Sequence, residues 1–189
     1  MPLKTFVKVG AITNLSDARY CAGMGVDMLG FATIEGQPDY LSPKQFQEIR
    51  GWVSGPRVVA EIYGLKQAAD LNSILENYRP DFLELSITEL ALLPDSPLPT
   101  ILRCTSMDLS QLDTSRGNVA YLLITSDAQF DSLKAGIPVL IQLDSTDNLN
   151  VLEQYPTAGV ALSGSQEISP GLKTYDHLAD VLEQLEVQD

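Results

Sequence analysis

Four charged residues stand inside runs that are otherwise apolar: Lys8, Glu61, Glu84 and Arg103. Charges in strands covered on both faces must pair with one another or line a mouth, because an unpaired buried ion is costly. Two positive and two negative side chains can satisfy each other as a self-neutralised interior ladder. The same set can also do chemistry. Glu84 or Glu61 can move a proton while Lys8 or Arg103 binds an anion, since opposed carboxylates and cations tune one another's pKa values. Lys8, Glu84 and Arg103 are therefore the catalytic candidates, and nothing in the chain identifies a substrate for them.

A second candidate is Ser163-Gly164-Ser165, which closes the last apolar run with small residues. Small side chains let backbone N–H groups approach an anion, so Ser163, Gly164 and Ser165 are the expected ligand-binding residues. An ordinary exit from a strand is the alternative. Cys104 ends its run and is a candidate nucleophile or base if it faces a mouth, or an inert thiol if buried. His177, the only histidine, falls in a C-terminal helical stretch and reads as a surface residue. Asp144, Ser145 and Asp147 match no recognised metal loop, and Asp147 is simpler as a helix cap. Cys21 and Cys104 lack metal-type spacing. No cofactor or metal is expected.

The elements that must position these residues alternate in a βα rhythm. Eight runs read as strands: Phe6–Ile12, Met28–Thr33, Arg57–Tyr63, Phe82–Ser86, Thr100–Cys104, Val119–Thr125, Pro138–Leu143 and Gly159–Ser163. They are rich in Val, Ile, Leu and Phe without strict alternation, the pattern of parallel strands covered on both faces. Helix candidates between them include Pro43–Trp52, Lys66–Tyr78, Ala128–Ala135, Asn148–Gln154 and Tyr175–Leu185. Asn14-Leu15-Ser16-Asp17 and Ser42-Pro43-Lys44 carry start signals, with Ser42 as cap and Pro43 just inside. Eight such units predict an α/β fold, a compact single-domain (β/α)8 TIM barrel over residues 1–189, and an open doubly wound sheet is the runner-up. The longest top-face loops are Ile34–Leu41 and Gly164–Thr174. In such a barrel function sits at the C-terminal ends of the strands.

A chain of 189 residues can bury a substantial core. Its 12 Lys+Arg against 25 Asp+Glu give a formal net charge of −13. That balance argues against nucleic acid or an anionic membrane as partner, both of which need a basic surface. It also disfavours phosphorylated ligands unless positive charge is concentrated locally. The start, Met1-Pro2-Leu3-Lys4-Thr5, leads into a strand-like run without a charged-then-apolar signal segment. No apolar stretch approaches the ~20 residues that span a bilayer. A reducing cytoplasm is the expected location, and the oligomeric state is not readable.

The segment Val7-Lys8-Val9-Gly10-Ala11-Ile12-Thr13-Asn14-Leu15 resembles the first strand and turn of the phosphoribosylanthranilate isomerase family, which writes it Lys-Ile-Cys-Gly-Ile-Thr. Further matches are Asp17-Ala18, Gly25-Val26-Asp27-Met28-Leu29-Gly30-Phe31 and Tyr40-Leu41-Ser42-Pro43. Near the C-terminus Gly159-Val160 and Glu167-Ile168-Ser169-Pro170-Gly171-Leu172-Lys173 are similar to the family's strand-eight loop. The resemblance implies a (β/α)8 barrel of that lineage, and with it a link to tryptophan biosynthesis. It also implies that the family's working groups are replaced. The family's cysteine, its general base, becomes Gly10, and the glycine after it becomes Ala11. Its general acid, an aspartate closing strand six, falls at about Ile124. The loop arginine that meets the substrate's carboxylate falls in Gln37-Pro38-Asp39-Tyr40, where Asp39 reverses the charge. The Gly-Gly phosphate turn falls near Leu143-Asp144.

An Amadori-type isomerisation needs one group to protonate the ring oxygen and another to take a proton from carbon, each contributing typically ~10²–10⁴-fold. The resemblance thus implies a protein without isomerase activity that binds a small molecule at the barrel mouth or a protein partner. Two further classes stay open: an enzyme on a different, less anionic substrate using Lys8, Glu84 and Arg103, and an isomerase with rearranged catalytic groups. The first predicts charges locked in pairs and no open polar pocket. The second predicts an open mouth with a perturbed Glu84 or Glu61.

Overall fold

Short runs of Val, Ile, Leu and Phe form eight strands. They are β1 (Phe6–Gly10), β2 (Met28–Ala32), β3 (Arg57–Glu61), β4 (Phe82–Leu85), β5 (Thr100–Cys104), β6 (Val119–Ile124), β7 (Val139–Gln142) and β8 (Gly159–Ser163). The computed structural model describes residues 3–105, 118–124, 136–143, 149, 152, 159–164, 167–169, 172–173 and 176–187. Each strand pairs in parallel with the next, and β8 returns to β1, so the sheet closes as the expected (β/α)8 barrel. Parallel strands need crossover connections, and the described helices cover the outer face of the sheet where they lie.

The described helices are α1 (Leu15–Gly23), α2 (Pro43–Arg50), α3 (Leu71–Tyr78), α4 (Ile87–Leu92) and α5 (Asp176–Gln184). Their starts follow capping chemistry. Asn14 accepts the Asp17 N–H, and Ser42 and Ser86 each open a capping box closed by Gln45 and Glu89. The Ala128–Ala135 helix candidate lies outside the described residues, as does nearly all of Asn148–Gln154. The span Lys66–Tyr78 splits into a 3-10 turn at Ala68–Asp70 followed by α3. The Gly164–Thr174 loop carries two short antiparallel strands, β9 (Glu167–Ser169) and β10 (Leu172–Lys173). Among the described residues no helix is long and apolar enough to cross a membrane.

Successive strand side chains alternate between barrel interior and helix layer. Val7, Val9, Leu29, Val58, Leu102 and Val160 go outward into the larger apolar cluster with the helices. Met28, Val59, Ile101, Leu123, Leu140 and Ala161 fill the middle of the barrel. The N-terminal end is closed by Phe6, Phe82 and Tyr121, with Phe6 and Tyr121 stacked at 5.6 Å between centroids. The Arg57 guanidinium lies 5.4 Å from the Phe6 ring centre and 5.1 Å from that of Phe82. Below the mouth, then, the middle of the barrel is a packed apolar core.

Candidate active site

The alternation that sends Val7 and Val9 outward sends Lys8 and Gly10 inward on β1. On β2 the same parity puts Gly30 beside Gly10, whose Cα would be 3.1 Å from a Cβ on Gly30. Two adjacent glycines therefore leave a notch at the top of the barrel wall. The Glu61 carboxylate, at the end of β3, occupies that notch. A Cβ on Gly10 would lie 2.5 Å from Glu61 Oε1, and a Cβ on Gly30 would collide with the same oxygen. Glycine here serves close approach of a side chain, the use expected of glycine inside a strand.

Three further groups hold Glu61 and its neighbours. Lys8 Nζ donates to Glu61 Oε1 at 2.9 Å and forms a second ion pair with Glu84 Oε2. Glu61 and Glu84 are register partners across β3 and β4, so one ammonium from β1 reaches both. The Ala11 N–H faces both Glu61 oxygens at 3.2 and 3.3 Å. It does so from a left-handed backbone conformation, φ 52°, which is unfavourable for alanine. Tyr63 OH donates to Glu84 Oε1 at 2.6 Å, and the Arg103 guanidinium lies 5.7 Å from the centre of the Tyr63 ring. Lys8 and Glu84 are each 2% exposed and Glu61 is 7% exposed, so this cluster is nearly dry.

Three of the four strand charges thus meet in one cluster and Arg103 stands beside it, but not as a ladder of two matched pairs. Lys8 serves both carboxylates, while among the described residues Arg103 forms no salt bridge and rests on Tyr63. The electrostatics follow. Burial disfavours the Lys8 ammonium, but the charges of Glu61 and Glu84 outweigh it and hold its pKa above the usual lysine value. Glu61 is pushed above the ordinary carboxyl range by burial, against the opposing pull of Lys8 and with the Glu84 charge adding to the rise. The Tyr63 hydroxyl is raised far above a free phenol by burial and by Glu84, so it remains a donor.

Above the cluster opens a cavity of about 300 Å³. Glu61, Tyr63 and Arg103 form one side, and Ala11, Ser163 and Gly164 the other. Gln37, Pro38 and Asp39 of the β2–α2 loop form the rim, with Leu41 N–H bonded back to Ala32 O at 2.9 Å. Asp39, in the left-handed conformation at φ 59°, therefore places a carboxylate at the mouth. On the neighbouring side Glu89, buried, accepts from Gly64 N–H at 2.9 Å and Ser86 N–H at 3.0 Å. Those bonds outweigh the effect of burial and keep it ionised below the usual range.

The remaining candidates divide. Ser163 and Gly164 line the cavity, and Gln142 Nε2 donates to Ser163 Oγ at 3.4 Å. Gly164 N–H donates to Gly10 O at 2.7 Å, so this glycine closes β8 onto β1 and its N–H is not left for an anion. A Cβ there would come 2.9 Å from Ala11 O, which is why the position is small. Ser165 lies outside the described residues, as do Asp144, Ser145 and Asp147 and the side chain of His177. Cys104 points into the helix-side apolar cluster, away from the mouth that Arg103 faces, and is 1% exposed. Cys21 is likewise buried, its thiol pushed up to about 12 by burial and by the charge of Asp17. Among the described residues no group of His, Cys, Asp and Glu has the arrangement of a metal site. The first class predicts charges locked in pairs and no open polar pocket; here Lys8, Glu61 and Glu84 are locked together, Arg103 forms no salt bridge among the described residues, and the cavity is open.

Tyr63 and Gly30 complete the site without being candidates in the sequence, and Ala11 enters there only as the replacement of a glycine. Gly30 carried a readable signal, a glycine within the strand run Met28-Leu29-Gly30-Phe31.

No protein-family model matches this sequence, and none of the curated proteins does. Solved structures do. The TrpF protein of Jonesia denitrificans superposes with a TM-score of 0.74 at 18% identity, covering 95% of each chain. Phosphoribosyl anthranilate isomerase of Thermus thermophilus gives 0.71 at 16% identity, over 96% of this chain and 98% of that one. The N-(5′-phosphoribosyl)anthranilate isomerase of Pyrococcus furiosus gives 0.68 at 16%, over 96% and 98%. Over nearly its whole length, then, the chain has the barrel fold of the phosphoribosylanthranilate isomerases.

Proposed function

We propose that this protein binds a small molecule at the barrel mouth and does not isomerise phosphoribosylanthranilate. The observation that carries the reading is the seating of Glu61 in the Gly10–Gly30 notch. By the resemblance, Gly10 stands where the isomerases carry their general base. The space its side chain would enter is taken by a carboxylate already engaged with Lys8 and Ala11 N–H. Asp39 at the rim faces the region where those enzymes use an arginine for the substrate's carboxylate. Like charges at ~4 Å repel by roughly 4 kcal/mol at an effective dielectric near ~20. A substrate with both a carboxylate and a phosphate is therefore poorly matched.

A second reading has a specific observation in its favour. Glu61 is buried, raised in pKa and in contact with the cavity, as a proton-transfer group would be. In that case the barrel is an enzyme in which a β3 carboxylate does the work of a β1 side chain.

Loss of phosphoribosylanthranilate fluorescence, followed with the purified protein beside Glu61→Gln, separates the two. Silence from the wild type is expected. Turnover that disappears in Glu61→Gln would overturn the first reading in favour of the second.

A further inference from the structure

We propose that the mouth cavity accepts a small zwitterion, with its carboxylate on Arg103 and its ammonium between Glu61 and Asp39. This rests on the reading that the cavity is a small-molecule site and adds the chemical class of the ligand.

Among the described residues the ionic groups on the cavity wall are Asp39, Glu61 and Arg103. Among the described residues neither Asp39 nor Arg103 has an ion-pair partner. Lys8 is no help to a ligand, since its side chain is 3% exposed and its ammonium already bridges Glu61 and Glu84. Among the described residues the wall therefore offers one available cation and an excess of carboxylate, with Glu61 sharing the Lys8 ammonium with Glu84.

Each simpler class of ligand leaves something unmatched once water is expelled. A dianion would meet Arg103 with one charge and two carboxylates with the other. A plain cation would satisfy Glu61 and Asp39 but cover the guanidinium without a partner, and a plain monoanion would do the converse. Leaving one partner of a charge pair buried alone is the expensive outcome. A molecule carrying both signs matches both sides. The Tyr63 ring fixes the guanidinium while its planar N–H edge remains suited to a carboxylate. A cavity of about 300 Å³ is at the small end for ligand sites, which fits an amino acid and not a nucleotide.

Binding is also coupled to protons. Glu61 accepts from Lys8 of β1 and from the Ala11 N–H just past that strand, pairs in register with Glu84 of β4, and shares the cavity wall with Arg103 of β5 and Asp39 of the rim loop. An ammonium arriving beside it favours the ionised carboxylate, so binding releases a proton and tightens as pH rises through the raised Glu61 value.

Titration calorimetry with the whole purified protein tests this. The probes are the α-amino acids and the ω-amino acids from glycine to 6-aminohexanoate, set against butyrate and butylammonium. At least one zwitterion should bind about tenfold or more tightly than either singly charged probe, the factor of one charged hydrogen bond. Arg103→Met and Asp39→Asn should each weaken it, and Asp39→Asn leaves the buried cluster intact if the first variant folds poorly. Butyrate or butylammonium binding as tightly as every zwitterion would overturn this inference and leave the small-molecule reading standing. No binding by any of the three classes would overturn both.

Discussion

Glu61 Oε1 sits 2.5 Å from the point where a Cβ on Gly10 would be, so the side chain of β3 completes the wall that β1 leaves open. The same phantom Cβ lies 2.8 Å from Lys8 Nζ. Restoring a side chain at position 10 is therefore not a local change. Gly10→Cys should lower stability by ~1–3 kcal/mol, the usual range for overpacking, by forcing Glu61 off Lys8 and Ala11. Adding Glu61→Ala should recover part of that loss, giving a favourable coupling in a double-mutant cycle read by urea denaturation. Strict additivity of the two substitutions would show that the notch is not shared.

The same relationship explains what could and could not be read from the chain. Parallel strands covered on both faces announce themselves by composition, so Thr100–Cys104 and Gly159–Ser163 match the observed strands. Other strands are shorter than their apolar runs. Phe6–Ile12 ends at Gly10 because Ala11 turns left-handed, and Arg57–Tyr63 ends at Glu61. Inward parity, which the pattern did contain, puts Lys8, Glu61 and Glu84 inside the barrel, and their meeting depends on the Lys8 side chain reaching across to β3 and β4. The notch did not show, because it needs Gly10 and Gly30 beside each other and a carboxylate from a third strand. Arg103 reads in sequence like the other three charges. Its contact with Tyr63, a residue just past the end of β3, is a matter of three-dimensional placement that no periodicity encodes.

Tyr63 supplies the hydroxyl that satisfies one Glu84 oxygen at 2.6 Å. Tyr63→Phe keeps the ring beneath Arg103 but leaves that oxygen without its donor. The expected loss is ~1–3 kcal/mol, the range for stranding a buried polar group. Thermal unfolding of the variant measures it, and a change within a few tenths would mean that water replaces the hydroxyl.

Ala11 bears a φ of 52° to aim its N–H at Glu61. At an ordinary strand or helix position Ala→Gly lowers stability, because glycine loses more freedom on folding. In the left-handed region the Cβ itself costs ~1–2 kcal/mol. Ala11→Gly should therefore leave stability unchanged or raise it by up to about 1 kcal/mol. A clear loss in chemical denaturation would show that the methyl group contributes packing at the mouth.

Folding also has a pH signature. Glu61 has a folded pKa above its unfolded value, so the folded protein binds that proton more tightly. Its contribution to stability is complete below the unfolded carboxyl value of ~4.3 and is lost as pH rises through the raised folded value. Lys8, also raised, contributes fully below ~10.4 and loses its contribution only as pH rises through its own folded value, so it is constant across this window. Glu61→Gln cannot ionise. The stability of wild type relative to Glu61→Gln should therefore fall as pH rises from ~4 and level off once Glu61 is ionised. Lys8→Met has the steeper dependence. Without the ammonium two buried carboxylates face each other, so it should cost ~3–5 kcal/mol at neutral pH and less in acid, where Glu61 is protonated. Urea denaturation of the three proteins across this range gives both curves. A Glu61→Gln curve parallel to wild type throughout would mean that Glu61 titrates as an ordinary surface carboxyl, and the dry cluster around Lys8 would have to be redrawn.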